Sequence, residues 1–213
     1  MLNLSSHDLI CRILTLIIAV TVHEFAHAFT ADRLGDSTPR DAGQVTLNPL
    51  KHLDIFGSLM ILLTGFGWGK PTPINAAALR QRTRYGVVWV SLAGPLSNLL
   101  LAVAAAIPIR MGWVQLVLPT GFLPTLGEFF YIFFYLNIVL AIFNLLPFPP
   151  LDGEKVVSEL LPAGAAAVYD RIRPYGPFVL MVLIFVGPRI HFDLIGMIMT
   201  PLINGAQTLL LGF

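Results

Sequence analysis

Charge is scarce in this chain. Only 12% of its 213 residues are charged and 56% are hydrophobic, against about 25% charged in an average soluble domain. A mean hydropathy of +0.78 points the same way. This balance excludes an ordinary soluble globular protein and predicts a membrane protein. Cysteine is nearly absent: the single Cys11 excludes an internal disulfide, and its place in the first apolar run predicts a small core residue. The formal net charge of +1, with basic residues in loops and no basic stripe, gives no ground for nucleic-acid binding. There is no basic region before Arg12 and no small-residue cleavage site, so the N-terminal run is expected to be retained. Low-complexity tracts and internal repeats are also lacking.

What the chain does have is apolar runs of membrane-crossing length. Spans are predicted over 8–31, 85–109, 129–148, 175–188 and 192–211, the fourth of these being the shortest. A run at 55–66, about a dozen residues, is too short to cross and is expected to re-enter the side it left. The expected fold is therefore an all-α polytopic membrane protein of about five to six hydrophobic segments, one integral domain over 1–213 with no room for a separate extramembrane domain. Arg33, Arg40, Lys51, Lys70, Arg80, Arg82 and Arg84 lie between the first span and the span at 85–109, whereas 111–128 has no basic residue. Basic excess marks the cytoplasmic face, so the N-terminus is predicted outside and the first loop inside.

Within the first span lies H-E-x-x-H: His23, Glu24 and His27. Positions i and i+4 share a helix face, so the two imidazoles can grip one ion while Glu24, on the flank, serves as general base. Ionisable groups inside a span cost about 2.5 kcal/mol or more apiece and are functional by default. A catalytic zinc takes three protein ligands and keeps one position open, so a third ligand is required. Asp152 follows the helix-stopping prolines Pro147, Pro149 and Pro150 at the matching membrane depth, where the chain can turn back into the bundle. Asp54 is the competitor, although an Asp before a short apolar run commonly caps a helix. Mixed imidazole and carboxylate ligation favours zinc, one ion per chain. The stretch 65–75, GFGWGKPTPIN, is barred from regular helix; its free amides, with Gly67 and Gly69 allowing close approach, are expected to clamp an extended substrate by strand addition. Asn98 is expected to hydrogen-bond across the bundle, and Asn137 to pair within it. His7 and His191 are placed at the outer surface, and His52 in an interfacial loop.

H-E-F-A-H in an early span, with N-L-L-P-F-P-P-L-D-G at 144–153, resembles the site-2 protease family of intramembrane zinc metalloproteases. The likeness extends through NPLKHLDIFGSL at 48–59, the GWGKPTPIN stretch and AGPLSN at 93–98, and so covers most of the chain. It implies a catalytic core of three helices, the spans at 8–31, 85–109 and 129–148. It also implies that Asp152 completes the metal site, that Asn144 lies near it as an oxyanion donor or substrate anchor, and that Asn98 has a supporting or substrate role. No PDZ or CBS module is recognisable, which matches the minimal prokaryotic branch. The expected activity is zinc-dependent cleavage of a transmembrane protein substrate, in regulated intramembrane proteolysis. The enzyme is expected to be a multi-pass cell-membrane protein with its site toward the cytoplasm; its oligomeric state is left open. The alternatives are a membrane enzyme acting on a lipid or small amide, and a non-catalytic metal-binding scaffold or transporter that would not need Glu24.

Overall fold

The structure, a computed structural model, describes residues 5–54, 56–57, 60, 69–117, 119 and 121–213. Among these residues all regular structure is helical. The α-helices are α1 (Ser6–Arg33), α2 (Thr38–Asp41), α3 (Ala76–Arg82), α4 (Gly86–Arg110), α5 (Leu126–Asn144), α6 (Asp152–Leu160), α7 (Ala163–Ile172), α8 (Gly176–Phe185) and α9 (Leu194–Leu211). Four of them, α1, α4, α5 and α9, are long and apolar enough to cross a membrane. This is an all-helical polytopic membrane protein.

Local chemistry sets the helix ends. Ser5, Asn75, Thr125 and Asp193 each accept a backbone N–H from the first turn of α1, α3, α5 and α9, satisfying donors that a helix start leaves free. Glycine 212, at φ +90°, closes α9 in the left-handed conformation that non-glycine residues avoid. Helix α5 stops at Asn144, short of the expected 148, because Pro147 forces the residue before it out of helical geometry.

Helix α4 is the hub, packed against α1, α5, α6 and α9. Its buried face is lined with small residues, Gly94, Ala102, Ala105 and Ala106, which let the neighbouring backbones approach. A core of Phe133, Phe134, Ile138, Leu146, Leu151, Leu180, Ile195, Met199 and Ile203 fills the space on the α5 and α9 side.

Over the span expected at 175–188 the structure has the ten-residue α8, entered through a 3-10 turn at Arg173–Tyr175 and followed by another at Gly187–Ile190; it is not among the four helices long enough to cross by themselves. Helix α9 correspondingly runs parallel to α4, since Arg110 at the end of α4 donates to the carbonyls of Leu209 (2.9 Å) and Leu210 (3.3 Å) at the end of α9. Gln207 reaches the Tyr131 hydroxyl near the start of α5. His191 therefore lies at the end of the molecule opposite Arg110, not at the outer surface where the sequence had placed it. His7 is half-buried and pairs with Glu128 at 2.6 Å. The re-entrant segment expected at 55–66 lies almost wholly outside the described residues.

Candidate metal centre

Three elements converge on one point. The Nε2 atoms of His23 and His27, one turn apart on α1, lie 3.0 Å from each other. They lie 3.1 and 3.0 Å from Oδ2 of Asp152, the first residue of α6. All three residues are buried. The third ligand expected from the sequence is thus brought to the histidines. Asp54 is not: its Oδ1 accepts the Gly57 N–H at 2.7 Å, the capping role the sequence allowed for it.

The hydrogen bonds behind the histidines fix which nitrogens carry protons. His27 Nδ1 meets the carbonyl of Val90 at 2.6 Å, an atom that only accepts, so Nδ1 is protonated and Nε2 keeps its lone pair. His23 reaches the same state through a relay. The Phe133 carbonyl takes a proton from Asn137 Nδ2 at 2.8 Å. That turns Asn137 Oδ1 toward Asn98 Nδ2 at 2.9 Å. Asn98 Nδ2 also donates to the Ala19 carbonyl at 3.3 Å. Asn98 Oδ1 is left to accept from His23 Nδ1 at 2.6 Å. Backbone carbonyls at both ends thus set the polarity of a path across three helices. Metal-binding histidines are generally oriented in this way by an acceptor behind the ring.

Gly94 tests whether the space suits an ion. A Cβ built there would lie 2.4 Å from His27 Nε2 and 2.6 Å from His23 Nε2, so only glycine leaves the ground in front of both lone pairs free. Two lone-pair nitrogens and a carboxylate oxygen, converging on a space kept clear of carbon, suit zinc, with room for a further ligand.

Asp152 is held as well. Its other oxygen, Oδ1, faces the Lys155 ammonium at 3.3 Å, which leaves Oδ2 for the histidine side. The N-terminus of α6 favours the negative charge. Gly153 allows the approach, since a Cβ there would lie 2.2 Å from the Leu145 carbonyl oxygen. Buried Glu154 pairs with Arg173, and Glu159 with Arg80, tying α6 to the turn after α7 and to α3; burial pushes the Glu154 carboxyl up despite that arginine.

Glu24 points elsewhere. Its Oε2 accepts from the Thr72 N–H at 3.0 Å and the Thr72 hydroxyl at 2.8 Å. Thr72 belongs to an irregular strap, residues 69–75, in which exposure alternates: Thr72 and Ile74 turn inward while Pro71, Pro73 and Asn75 face out. Gly69 sits beside the same carboxylate, its Cβ position 3.8 Å from Glu24 Oε1. Gly67 lies outside the described residues. The Lys70 N–H is already given to the His52 carbonyl at 2.7 Å, that of Thr72 to Glu24, and Pro71 and Pro73 have none. Asn144 is half-buried and donates back to the Leu140 carbonyl at 3.0 Å; it makes no hydrogen bond to the ligand residues. His52 is fully buried and donates from Nε2 to the Thr46 carbonyl at 2.7 Å.

Sequence reasoning missed Thr72, which carries no motif signal. Asn137 pairs within the bundle as expected, and only its partner, Asn98, connects it to His23.

Fold and site define a class: helical membrane proteins with a buried two-histidine, one-carboxylate metal site and a glutamate beside it. The profile described as peptidase family M50 matches residues 120–187. A protein named "Putative zinc metalloprotease YwhC", from Bacillus subtilis, is 42% identical over 177 residues, covering 83% of this chain and 80% of its own length. A protein named "Putative zinc metalloprotease Rip2", from Mycolicibacterium smegmatis, is 32% identical over 184 residues, 82% of this chain and 66% of its own length. MJ0611 of Methanocaldococcus jannaschii, so described too, is 41% identical over 69 residues, 32% of each chain. No solved structure matches. The chain belongs to peptidase family M50, the zinc metalloproteases that its motifs resemble.

Proposed function

We propose that this protein is a zinc-dependent intramembrane endopeptidase that cleaves a transmembrane protein substrate within or beside its membrane-spanning segment, in the manner of regulated intramembrane proteolysis. The observation that carries the reading is the meeting of His23, His27 and Asp152 on helices that belong to the membrane-crossing bundle or cap it. A protease site built among spans is suited to bonds at membrane depth. In this reading one protease domain over 1–213 holds one zinc through His23 Nε2, His27 Nε2 and Asp152 Oδ2. Bound there, zinc supplies a Lewis acid that polarises the scissile carbonyl and makes water a competent nucleophile near neutral pH.

The chain's own residues do the rest. Glu24 accepts the proton of the attacking water and returns it to the leaving amine. Asn98 and Val90 hold the two imidazoles in the tautomer that faces the ion. Asn144, released from Leu140, donates its amide to the carbonyl oxygen as negative charge develops there. Gly67 and Gly69 line the path of an unwound substrate, whose helical amides must first be freed. The basic loops assign the metal end to the cytoplasmic side of the cell membrane, from which water enters.

The test is purification in detergent, with zinc content and cleavage of a single-span substrate measured for wild type and Glu24→Gln. Zinc in both and cleavage in wild type alone supports the reading. Undiminished cleavage by Glu24→Gln, or a wild type without zinc, rejects it.

A further inference from the structure

Thr72 turns two donors toward a single oxygen of Glu24, its N–H at 3.0 Å and its hydroxyl at 2.8 Å from Oε2, the hydroxyl lying farther, 3.1 Å, from the Glu24 carbonyl. Among the described residues Oε1 takes no donor. The strap that presents Thr72 is fastened independently of Glu24. At one end the Lys70 N–H is bound to the His52 carbonyl. At the other the Asn75 N–H is bound to Asp36 Oδ2 at 2.6 Å, and that buried carboxylate is itself held by the Thr38 N–H and hydroxyl. Between them Ile74 packs on the cluster of Ala31, Leu79, Val87 and Val90. Val90 is the residue whose carbonyl orients His27. The strap and the metal centre are therefore one rigid assembly, and Thr72 is a fixed point within it.

A carboxylate one residue from a ligand histidine is strongly drawn to a dication, yet a catalytic site needs its last position open. Hydrogen bonds to an ionised carboxylate are roughly twice as strong as neutral ones, and two on one oxygen oppose that attraction. We infer that Thr72 is a positioning residue for Glu24: it fixes Oε2, leaves Oε1 to take and return the proton, and keeps the carboxylate from becoming a fourth ligand. The inference rests on the roles proposed above for Glu24 and for the three ligands.

The decisive experiment uses zinc alone, its dissociation constant measured by chelator competition in detergent for wild type, Thr72→Val, Glu24→Gln and the double variant. With the hydroxyl gone and only the Thr72 N–H left on Oε2, Glu24 is freer to reach the ion, so Thr72→Val should hold zinc about threefold or more tighter, with the gain erased in the double variant. Cleavage by Thr72→Val should lose about tenfold or more in kcat at unchanged KM, and Thr72→Ser, which keeps both donors, should restore affinity and rate. Unchanged zinc affinity in Thr72→Val, or a gain that survives removal of Glu24, overturns the inference. A wild type that binds no zinc, or a Glu24→Gln variant that cleaves normally, overturns the functional reading beneath it and the inference with it.

Discussion

Gly94 contributes no atom to the ligand set, yet the site depends on what it lacks. A Cβ there would sit 2.4 Å from His27 Nε2, and that ring is held from behind by the Val90 carbonyl, so Gly94→Ala should reduce bound zinc to background in metal analysis. Gly164→Ala, at a glycine with open space around it, is the control and should bind normally. The amide relay makes a second residue-scale prediction. Replacing Asn137 with Leu removes the group that fixes Asn98, allowing Asn98 to turn its NH2 toward His23 and favour the wrong tautomer. Loss of such supporting partners typically costs 10- to 100-fold in metal affinity, and zinc competition should find a loss of about that size. A loss confined to thermal stability, with affinity intact, would reduce Asn137 to a packing role. The H-E-x-x-H pair was legible in the sequence because an i, i+4 spacing is a local property of one helix. The relay was not, because nothing along the chain relates Asn98 to Asn137 until α4 and α5 pack.

Helix α6 is the element on which the centre hinges. Only nine residues long, it carries the third ligand on its first turn, and its place is set by Gly153 against Leu145 and by ion pairs to Arg80 and Arg173. Gly153→Ala should push that turn away from the end of α5; overpacking of this kind costs about 1–3 kcal/mol. The expected result is a lowered Tm in detergent together with lost zinc, and a variant that keeps full zinc occupancy would show that Asp152 is positioned some other way. The prolines after Asn144 made the break in this region readable, and with it the candidacy of Asp152. The strap at 69–75 was readable only as non-helical. That three of its amides, those of Lys70, Thr72 and Asn75, are given to His52, Glu24 and Asp36 is a tertiary fact.

At the scale of the whole molecule, the ends of α4 and α9 come together, where Arg110 is matched by the C-terminal carbonyls of α9, a place that favours a cation. Single cysteines at Gly112, Arg189 and Phe213 report this directly, because the native Cys11 is buried. With an impermeant thiol reagent on sealed vesicles, positions 112 and 213 should label from the same face and 189 from the other; labelling of 189 together with 112 would restore α8 as a crossing. The sequence by itself determined the solvent, since scarce charge and long apolar runs leave the chain no other place to fold, and it determined the chemistry, since two histidines and a glutamate on one turn are set by helix geometry alone. Tertiary structure decided which carboxylate is brought to the two histidines, which ring nitrogens face it and what holds Glu24, because each depends on contacts between residues far apart along the chain, contacts that packing creates and local periodicity does not encode.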